Sequence, residues 1–448
     1  MSRVVVIGGG FAGLAAGVAL AARGLAPLVL EARPHLGGRA RSFLDAESGE
    51  RVDNGQHAMM GCYAHTLAFL ERIGASAKLV RQRNLRVAMA HREHGDGVIA
   101  GAPLPSPLHM AAGVLGYRLL SRRERLDALR AGLHILRRYR RRDPGLAHTT
   151  VAALLAALGQ SDNAQACFWN PVAVATLNET PARAAALPFA AVLARAFFGK
   201  RRDAQFVLPA SDLTELYTDD AQRFIEARGG QVRTRAAVAE LDVRDERVSA
   251  LRMRDGSRLA VAACIVALPP RALAVLLPES LRATEPLGRL DDFATSPIVS
   301  VHLWLDRAVL AHPFLGCIGT HTQWFFNRSA LVSATADGGQ RLSAVISAGH
   351  EIVEWPSETI AATVIEDLRT LLPAARGATV TRSVVVKEKQ ATISTTPEAE
   401  RRRPPAETAV ANLWLAGDWT ATGLPPTIES AVLSGHRAAD LLTLEQAA

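Results

Sequence analysis

The N-terminal stretch VVVIGGGFAGLAAGVALAARG, residues 4–24, constrains the fold of this chain more than any other segment. It contains a β-branched run, a glycine turn and a helix of small residues. Gly8, Gly10 and Gly13 fit the pattern GxGxxG. The first glycine allows a tight turn, the second lets backbone approach a pyrophosphate, and the third allows the helix to pack closely on the strand. With the free N–H groups of the helix N-terminus, this pattern predicts a strand–turn–helix unit that binds a dinucleotide.

A second strand ends on a residue that suits a ribose contact. The stretch APLVLEAR, residues 26–33, places Glu31 where a carboxylate can accept hydrogen bonds from ribose hydroxyls. A glycine turn that binds no ligand is the alternative, and an acid at this spacing argues against it. The following residues add a glycine pair and guanidinium groups that suit a pyrophosphate. The candidates there are Arg33, Gly38, Arg39 and Arg41.

The segment LGGR, residues 36–39, resembles one in the flavin-containing amine oxidase and phytoene desaturase superfamily, which binds FAD. Two later segments also fit that superfamily. TRAAVAELDV, residues 234–243, is similar to the strand whose backbone, here at Val238, contacts the adenine. IVALPP, residues 265–270, is similar to the strand beneath the isoalloxazine ring. The resemblance therefore implies FAD rather than a nicotinamide dinucleotide.

The C-terminal segment LWLAGDW, residues 413–419, is similar to another flavin-binding motif of the superfamily. The resemblance implies that Gly417 and Asp418 hold the ribityl–phosphate chain. The next helix begins at Thr427 and Ile428, and its N–H groups would point at the flavin, where the dipole stabilises negative charge by about 0.3–2 kcal/mol. An ordinary amphipathic terminal helix is the alternative. Because no cysteine adjoins this segment in the sequence, we expect non-covalent FAD.

Four segments resemble a narrower group, the hydroxysqualene dehydroxylases of bacterial hopanoid synthesis. The resemblance covers the whole chain and implies reduction of hydroxysqualene to squalene by reduced FAD, with loss of water and with a separate electron donor for the FAD. The absence of lysine from residues 296–307 argues against amine oxidation. A polyene desaturase and a non-catalytic flavin-binding lipid carrier are the competing functions. The four segments are DNGQHAMMGCY (53–63), FWNPVAVATLNE (168–179), SPIVSVHLWLDR (296–307) and GDWTATGLPPTIESAVLSG (417–435).

The polar residues of DNGQH are the candidate catalytic group. An allylic hydroxyl needs a proton in order to leave, and His57 is the candidate donor. Asp53 or Gln56 would orient its ring, and Asn54 and Gly55 would lie beside the flavin. In the alternative interpretation, Asp53 and His57 only stabilise the turn below the flavin.

The apolar neighbours are candidate substrate contacts. Met59 and Met60 follow DNGQH directly and would begin the wall of an apolar slot. Trp169 could stabilise a cation with its aromatic face, and Asn170 adjoins it. Both of these residues could instead belong to the core.

The length of 448 residues predicts two interlocked domains in an α/β fold. The superfamily resemblance implies a Rossmann-type FAD-binding domain assembled from three chain segments, expected at 1–61, 205–290 and 408–448. An interleaved α+β substrate domain is expected at 62–204 and 291–407. We expect residues 62–200 to be mostly helical, and strands to recur at about 205–270, 292–305 and 341–348.

One segment carries the excess charge of the chain. Residues 118–142 hold ten arginines against two acids, which equals the formal net charge of +8 for the whole protein. Clustered arginine can bind nucleic acid, but an enzyme with an apolar substrate favours a membrane surface, to which each basic residue contributes about 1 kcal/mol. We predict that 105–142 is a membrane-facing helical region. A solvated helix is the alternative.

The remaining composition favours a cytoplasmic protein at the inner face of the cell membrane. The four cysteines show no CxxC spacing, which indicates reduced thiols and no metal site. A strand begins within three residues of Met1, which predicts that no signal peptide is present. No apolar run is long enough for a membrane span. The sequence therefore predicts peripheral rather than integral membrane association.

Overall fold

The structure is a computed structural model that describes residues 3–282, 284–332 and 338–447. Its strands are β1 (Arg3–Ile7), β2 (Leu28–Leu30), β3 (Ser42–Leu44), β4 (Arg51–Asp53), β5 (Met59–Met60), β6 (Leu79–Arg81), β7 (Arg86–His91), β8 (Gly95–Ala100), β9 (Phe206–Pro209), β10 (Gln231–Arg233), β11 (Val238–Arg244), β12 (Arg247–Met253), β13 (Arg258–Val266), β14 (Thr295–Leu305), β15 (Phe314–Ile318), β16 (Trp324–Asn327), β17 (Gln340–Ser347), β18 (Val380–Ile393) and β19 (Leu413–Leu415). Its helices are α1 (Phe11–Ala22), α2 (Ala64–Arg72), α3 (Leu108–Leu115), α4 (Arg122–Arg140), α5 (Val151–Ala157), α6 (Asp162–Ala164), α7 (Asn170–Leu177), α8 (Ala186–Val192), α9 (Asp219–Glu226), α10 (Pro270–Leu276), α11 (Glu279–Arg282), α12 (Arg328–Leu331), α13 (Ser357–Leu371), α14 (Pro397–Arg402) and α15 (Ile428–Ala447).

The first sheet has the order β10-β2-β1-β13-β12-β11, and β19 also pairs with β13. β10, β2, β1, β13 and β19 run parallel, and β11–β13 form an antiparallel meander. Buried β-branched residues drive this arrangement, because Val6 lies between Val29 and Ile265 and all three are fully buried. The strands come from the first, middle and last parts of the chain, which confirms the predicted α/β fold.

The second sheet has the order β18-β14-β17-β16-β15-β7-β8. Alternate residues of β14 point to opposite faces. Val299, Val301 and Leu303 pack in the core beneath α13, whereas Ser300 and His302 lie on the other face, close to residues 53–57. Strand β14 thus forms one wall of the candidate site.

The prediction that residues 62–200 are mostly helical is wrong between residues 79 and 100. β6, β7 and β8 lie there, and β7 joins the second sheet by parallel pairing with β15. From Arg86 to Met89, buried Val87 and Met89 alternate with less buried residues, and Gly95, with a φ of +75°, begins β8. This period-two pattern is typical of a strand at a sheet surface.

Helices α3–α8 cover the second sheet and bury Tyr117, Trp169 and Phe189 in a common core. The segment 105–142 contains two helices, α3 and α4, as predicted. α4 begins with a capping box in which Ser121 and Glu124 exchange hydrogen bonds between side chain and backbone. Within the part of the chain that the structure describes, no helix is both long and apolar enough to span a bilayer.

The β3–β4 hairpin clasps the edge of the second sheet. Asp45 forms a bidentate ion pair with Arg382 at 2.5 and 2.9 Å. Glu50 accepts hydrogen bonds from Arg341 at 2.6 Å and from the indole N–H of Trp304 at 3.0 Å. These contacts hold β4, and the DNGQH segment that starts at its end, against the second sheet.

Candidate active site

The glycine turn has the geometry of a phosphate cradle. Gly8 has a φ of +113°, and a Cβ atom on Gly13 would lie 1.9 Å from the Gly8 carbonyl oxygen, so packing within the protein requires both glycines. Gly10 differs, because its nearest neighbours, Gly37 O and Gly38 Cα, lie 3.9 Å from the position of a Cβ atom. Gly10 caps α1 without a side-chain hydrogen bond, which leaves the first N–H groups of the helix available to an anion. This open space fits a pyrophosphate.

Glu31 lies at the end of β2, as predicted, and its carboxylate is almost buried. Its two oxygens accept hydrogen bonds from the N–H groups of Gly9 and Arg33, both at 2.8 Å. Arg33 therefore binds the Glu31 carboxylate through its backbone N–H. Each carboxylate oxygen keeps a second lone pair for a ribose hydroxyl. Ala236 N–H donates to the Glu31 carbonyl at 2.9 Å, which brings the start of β11, at Val238, beside this site.

A tyrosine that the sequence analysis did not identify shapes the LGGR loop. The Tyr217 hydroxyl lies 3.0 Å from the carbonyl oxygen of Gly37 and 2.9 Å from that of Ala40. Its ring stacks on Phe11, the first residue of α1, at a centroid distance of 3.7 Å. Tyr217 thus links the loop to the dinucleotide helix, and no local sequence signal points to it.

Arg39 and Asp418 were predicted as separate cofactor contacts, and the structure pairs them. The Nη2 and Nη1 atoms of Arg39 lie 2.6 and 3.2 Å from the two carboxylate oxygens. Nη1 also donates to the carbonyl of Ala391 at 3.1 Å. The pair joins segments near the two ends of the chain. A contact of either residue with the cofactor would therefore be made from a fixed position.

Asn54 fastens DNGQH to the LGGR loop. Its amide oxygen accepts the Arg41 N–H at 3.0 Å, and its amide nitrogen donates to the Arg39 carbonyl at 2.8 Å. The backbone N–H of Asn54 returns a bond to the Arg41 carbonyl at 2.8 Å. These three bonds give Asn54 a structural role, and its expected flavin contact stays a prediction, as does that of Gly55.

The start of α15 is held by two groups that the sequence analysis missed. Buried Arg403 donates to the carbonyls of Asp418 and Thr420 at 2.7 and 2.9 Å, and further to Leu424 and two hydroxyls of the same loop. Glu429 accepts N–H bonds from the first turn of α2 at 2.8 and 3.0 Å. Gly417, Thr427 and Ile428 therefore lie on a rigid loop. Arg403 was missed because it precedes the GDW motif by fourteen residues in the sequence.

Asp53 is a buried junction. One carboxylate oxygen accepts from the Ser42 hydroxyl at 2.7 Å and from the Leu213 N–H at 3.0 Å. The other lies 3.2 Å from Arg328 Nη2. The backbone carbonyl of Asp53 accepts the Nε2 proton of His302 at 2.9 Å. Burial lowers the pKa of His302 to about 4.

His57 is oriented by its own backbone. Nδ1 lies 2.7 Å from the Gly55 carbonyl oxygen. The expectation that Asp53 or Gln56 orients the ring is therefore corrected, because Asp53 binds Ser42 and Leu213, and Gln56 Oε1 accepts from Arg328 at 3.1 Å. Burial lowers the pKa of His57, while the charge of Asp53 opposes that shift.

The two methionines after DNGQH have different surroundings. Met59 is buried in the hydrophobic core around α1 and β1. It packs against other core side chains there, in place of the expected contact with the substrate. Met60 lines a small cavity of about 40 Å³ together with Tyr63, Thr176 and Thr427. This cavity touches the start of α15, and the substrate contact of Met60 stays a prediction.

Trp169 and Asn178 have structural roles. The Trp169 indole N–H donates to Gln160 at 2.7 Å, and its ring packs against Phe189, which favours the core interpretation. The Oδ1 atom of Asn170 is buried and has no hydrogen-bond partner among the residues described, so its substrate contact stays a prediction. Asn178 bonds to strand β14 at Ser296 and to Ala348 at 3.1 and 2.8 Å.

Comparison with known proteins identifies the family of this site. The family model for flavin containing amine oxidoreductase matches residues 11–443. This chain belongs to that family. Its cofactor is FAD, and it is an FAD-dependent oxidoreductase, as the LGGR and GDW segments predicted.

Within this family, the chain is similar to enzymes that are named for isoprenoid substrates. The chain is 30% identical to hydroxysqualene dehydroxylase from Sinorhizobium fredii over 99% of each chain, and 29% identical to that from Rhodopseudomonas palustris over the same shares. A probable zeta-carotene desaturase from Synechococcus elongatus is 25% identical, again over 99% of each. A putative protoporphyrinogen oxidase from Exiguobacterium shares the fold, with a TM-score of 0.72, 17% identity and 99% coverage of both chains. The predicted resemblance to hydroxysqualene dehydroxylases is confirmed.

Proposed function

We propose that this enzyme removes the hydroxyl group of hydroxysqualene and releases squalene and water, as a step of squalene and hopanoid biosynthesis. The full-length similarity to hydroxysqualene dehydroxylases carries the proposal. When bound in its reduced form, FAD supplies the hydride that replaces the hydroxyl. The protein must then assist the departure of a poor leaving group and exclude water from the reacting carbon.

His57 is the proposed proton donor. When the ring is protonated, Nδ1–H donates to the Gly55 carbonyl and Nε2–H remains for the substrate. Transfer of that proton to the hydroxyl oxygen lets the C–O bond break, and the bonding electrons leave with water. The carboxylate of Asp53 favours the protonated ring at a distance, since its charge raises the pKa of His57 against the effect of burial.

An aromatic cluster between β9 and the second sheet would protect the allylic cation. Phe206 lies opposite Met60 in the β5–β9 pair, and its ring centroid is 4.8 Å from that of Phe314. Trp324 and Phe326 lie 6.2 and 5.8 Å from Phe314. Aromatic faces attract cations, and Phe206 and Trp324 are only partly buried. The cluster thus replaces Trp169 as the proposed cation-stabilising group.

Peripheral membrane association follows from the substrate, which is nearly insoluble in water. The side chains of Leu104, Leu108 and Leu115 are 43%, 54% and 46% exposed along α3 and the loop before it. Large apolar side chains clustered on a surface indicate an interaction site. We propose that this face of segment 105–142 rests on the cytoplasmic leaflet and takes substrate from it.

An anaerobic single-turnover experiment tests the reaction. Photoreduced enzyme is mixed with hydroxysqualene, flavin reoxidation is followed by absorbance, and squalene is quantified. We expect one squalene for each flavin reoxidised, and no reoxidation with squalene itself. If the reduced enzyme is inert and the oxidised enzyme is bleached by a polyene, the enzyme is a desaturase, which the similarity to zeta-carotene desaturase makes the second candidate. Inertness in both directions would indicate a lipid carrier.

A further inference from the structure

A basic groove lies at the C-terminal end of α4, apart from the flavin site. It has a volume of about 480 Å³ and is lined by His134, Arg137, Arg138, Arg141 and the turn at 143–144. α4 rises about 1.5 Å per residue, so Arg141 lies roughly 28 Å from the N-terminus of the helix. None of the residues that line the groove belongs to the candidate active site, and no step of the proposed reaction uses them.

One arginine of the groove is fixed and the others are free to bind. Arg138 Nε lies 2.6 Å from Asp143 Oδ2, and the other oxygen of Asp143 accepts the Gly145 N–H at 2.8 Å. This pairing satisfies the carboxylate that lines the groove. Among the residues that the structure describes, no acid lies within ion-pair distance of Arg137 or Arg141. The groove thus keeps an excess of two positive charges.

The charge pattern fits a phosphate group. A helix C-terminus repels anions with about half a charge, and the arginines of the groove outweigh that effect. Planar guanidinium groups bind phosphate oxygens in pairs. The remaining volume exceeds that of a single phosphate ion and can admit the polar part of a larger molecule.

The residues beside the groove indicate which phosphate it takes. Leu126 and Leu133 are 48% and 41% exposed, and Leu133 lies one helical turn before Arg137. Leu126, Leu133 and Arg137 share one stripe of α4, because their spacing is seven and four residues. Apolar side chains next to a basic groove match the boundary between acyl chains and headgroups in a bilayer.

We propose that this groove binds the phosphate headgroup of an anionic phospholipid and thereby sets the orientation of the enzyme on the membrane. The proposal rests on the peripheral membrane association proposed above. Leu126 and Leu133 would enter the headgroup region while Arg137 and Arg141 hold the phosphate. The groove then acts as a second membrane contact, in addition to the apolar face of α3.

Vesicle binding tests the groove with a charge-matched control. The groove variant Arg137→Gln/Arg141→Gln and the control Arg247→Gln/Arg254→Gln, on the FAD domain, lose the same charge. Each is titrated with vesicles of phosphatidylcholine alone and of phosphatidylcholine mixed with phosphatidylglycerol, and with glycerol phosphate and inorganic phosphate. We expect the groove variant to bind the mixed vesicles about 30-fold more weakly than the wild type, and the control to bind within about twofold. Flavin content and turnover in detergent should stay unchanged in both.

The possible failures are distinguishable. Equal binding of groove variant and control to mixed vesicles would overturn the headgroup site but leave the reaction intact. Tight binding of inorganic phosphate, with no difference between the two kinds of vesicle, would show a site for a soluble phosphate and would also overturn it. If the wild type binds no vesicle while its turnover in detergent is normal, both membrane contacts are wrong and the dehydroxylation is unaffected.

Discussion

The Nδ1 atom of His57 lies 2.7 Å from the carbonyl oxygen of Gly55, two residues earlier in the chain. This bond fixes which nitrogen can meet the substrate, because a carbonyl accepts a proton from Nδ1 in both charge states of the ring. Only Nε2 then changes between acceptor and donor. Departure of the hydroxyl therefore depends on whether Nε2 of His57 carries a proton.

The first prediction concerns pH. Burial lowers the pKa of His57 below its usual value, so the ring is mostly neutral at neutral pH and the donor form increases as the pH falls. We expect the rate of anaerobic flavin reoxidation to rise as the pH falls from about 8 towards 6. His57→Ala should lose about 10²–10⁴-fold in rate and the pH dependence with it. Stopped-flow absorbance measures both, and a variant that keeps the wild-type pH profile would contradict the proposed proton donor.

The second prediction separates cofactor binding from folding at the glycine turn. Gly10 has free space around its Cβ position, whereas a Cβ atom on Gly13 would lie 1.9 Å from a carbonyl oxygen. Gly10→Val should therefore purify folded with little FAD, because the side chain fills the phosphate cradle. Gly13→Val should instead lower the stability of the apoprotein. FAD-to-protein ratios and thermal unfolding of the apoproteins distinguish the two, and full FAD occupancy in Gly10→Val would refute this placement of the pyrophosphate.

The third prediction concerns the loop that precedes α15. Arg403 is buried and holds carbonyls and hydroxyls of residues 418–430, and Glu400 balances its charge at 3.0 Å. Arg403→Met leaves that carboxylate buried and unpaired, which typically costs about 3–5 kcal/mol. We expect faster FAD release and a shifted flavin midpoint potential, since the N–H groups of Thr427 and Ile428 lose their fixed position.

A double variant provides the control for Arg403. Arg403→Met/Glu400→Gln removes the uncompensated charge and should recover part of the thermal stability but not the flavin potential. Recovery of both would show that Arg403 acts on folding alone.

The fourth prediction concerns the clasp between the β3–β4 hairpin and the second sheet. Hydrogen bonds from Arg382 lower the pKa of Asp45 to about 2, from its ordinary value of 3.8. A lowered pKa means that the stabilisation is complete above the ordinary pKa and is lost as the pH falls through about 2. Asp45→Asn should therefore unfold at lower denaturant concentration than the wild type at neutral pH. The difference should shrink from about pH 4 downwards, and a difference that does not depend on pH would assign it to packing.

Short-range features were predictable because their physical causes are local. The turn at Gly8–Gly13 requires a particular backbone conformation and close packing within six residues, and Glu31 follows from the length of one helix and one strand. By contrast, β7 and β8 lie in a region that was expected to be mostly helical, because two short alternating segments give a weak signal beside long helical ones.

Contacts between distant residues were decided by the tertiary structure alone. The sequence by itself determined that a dinucleotide cradle, a flavin motif at each end of the chain and a polar DNGQH segment would occur. Only packing decided that Arg39 pairs with Asp418 across 379 positions of sequence, that Trp169 lies in the core, and that the Asp53 carboxylate bonds to Leu213 rather than to His57. A motif carries the chemistry of its own residues, whereas the partner of a charged or aromatic side chain depends on which surfaces burial brings together.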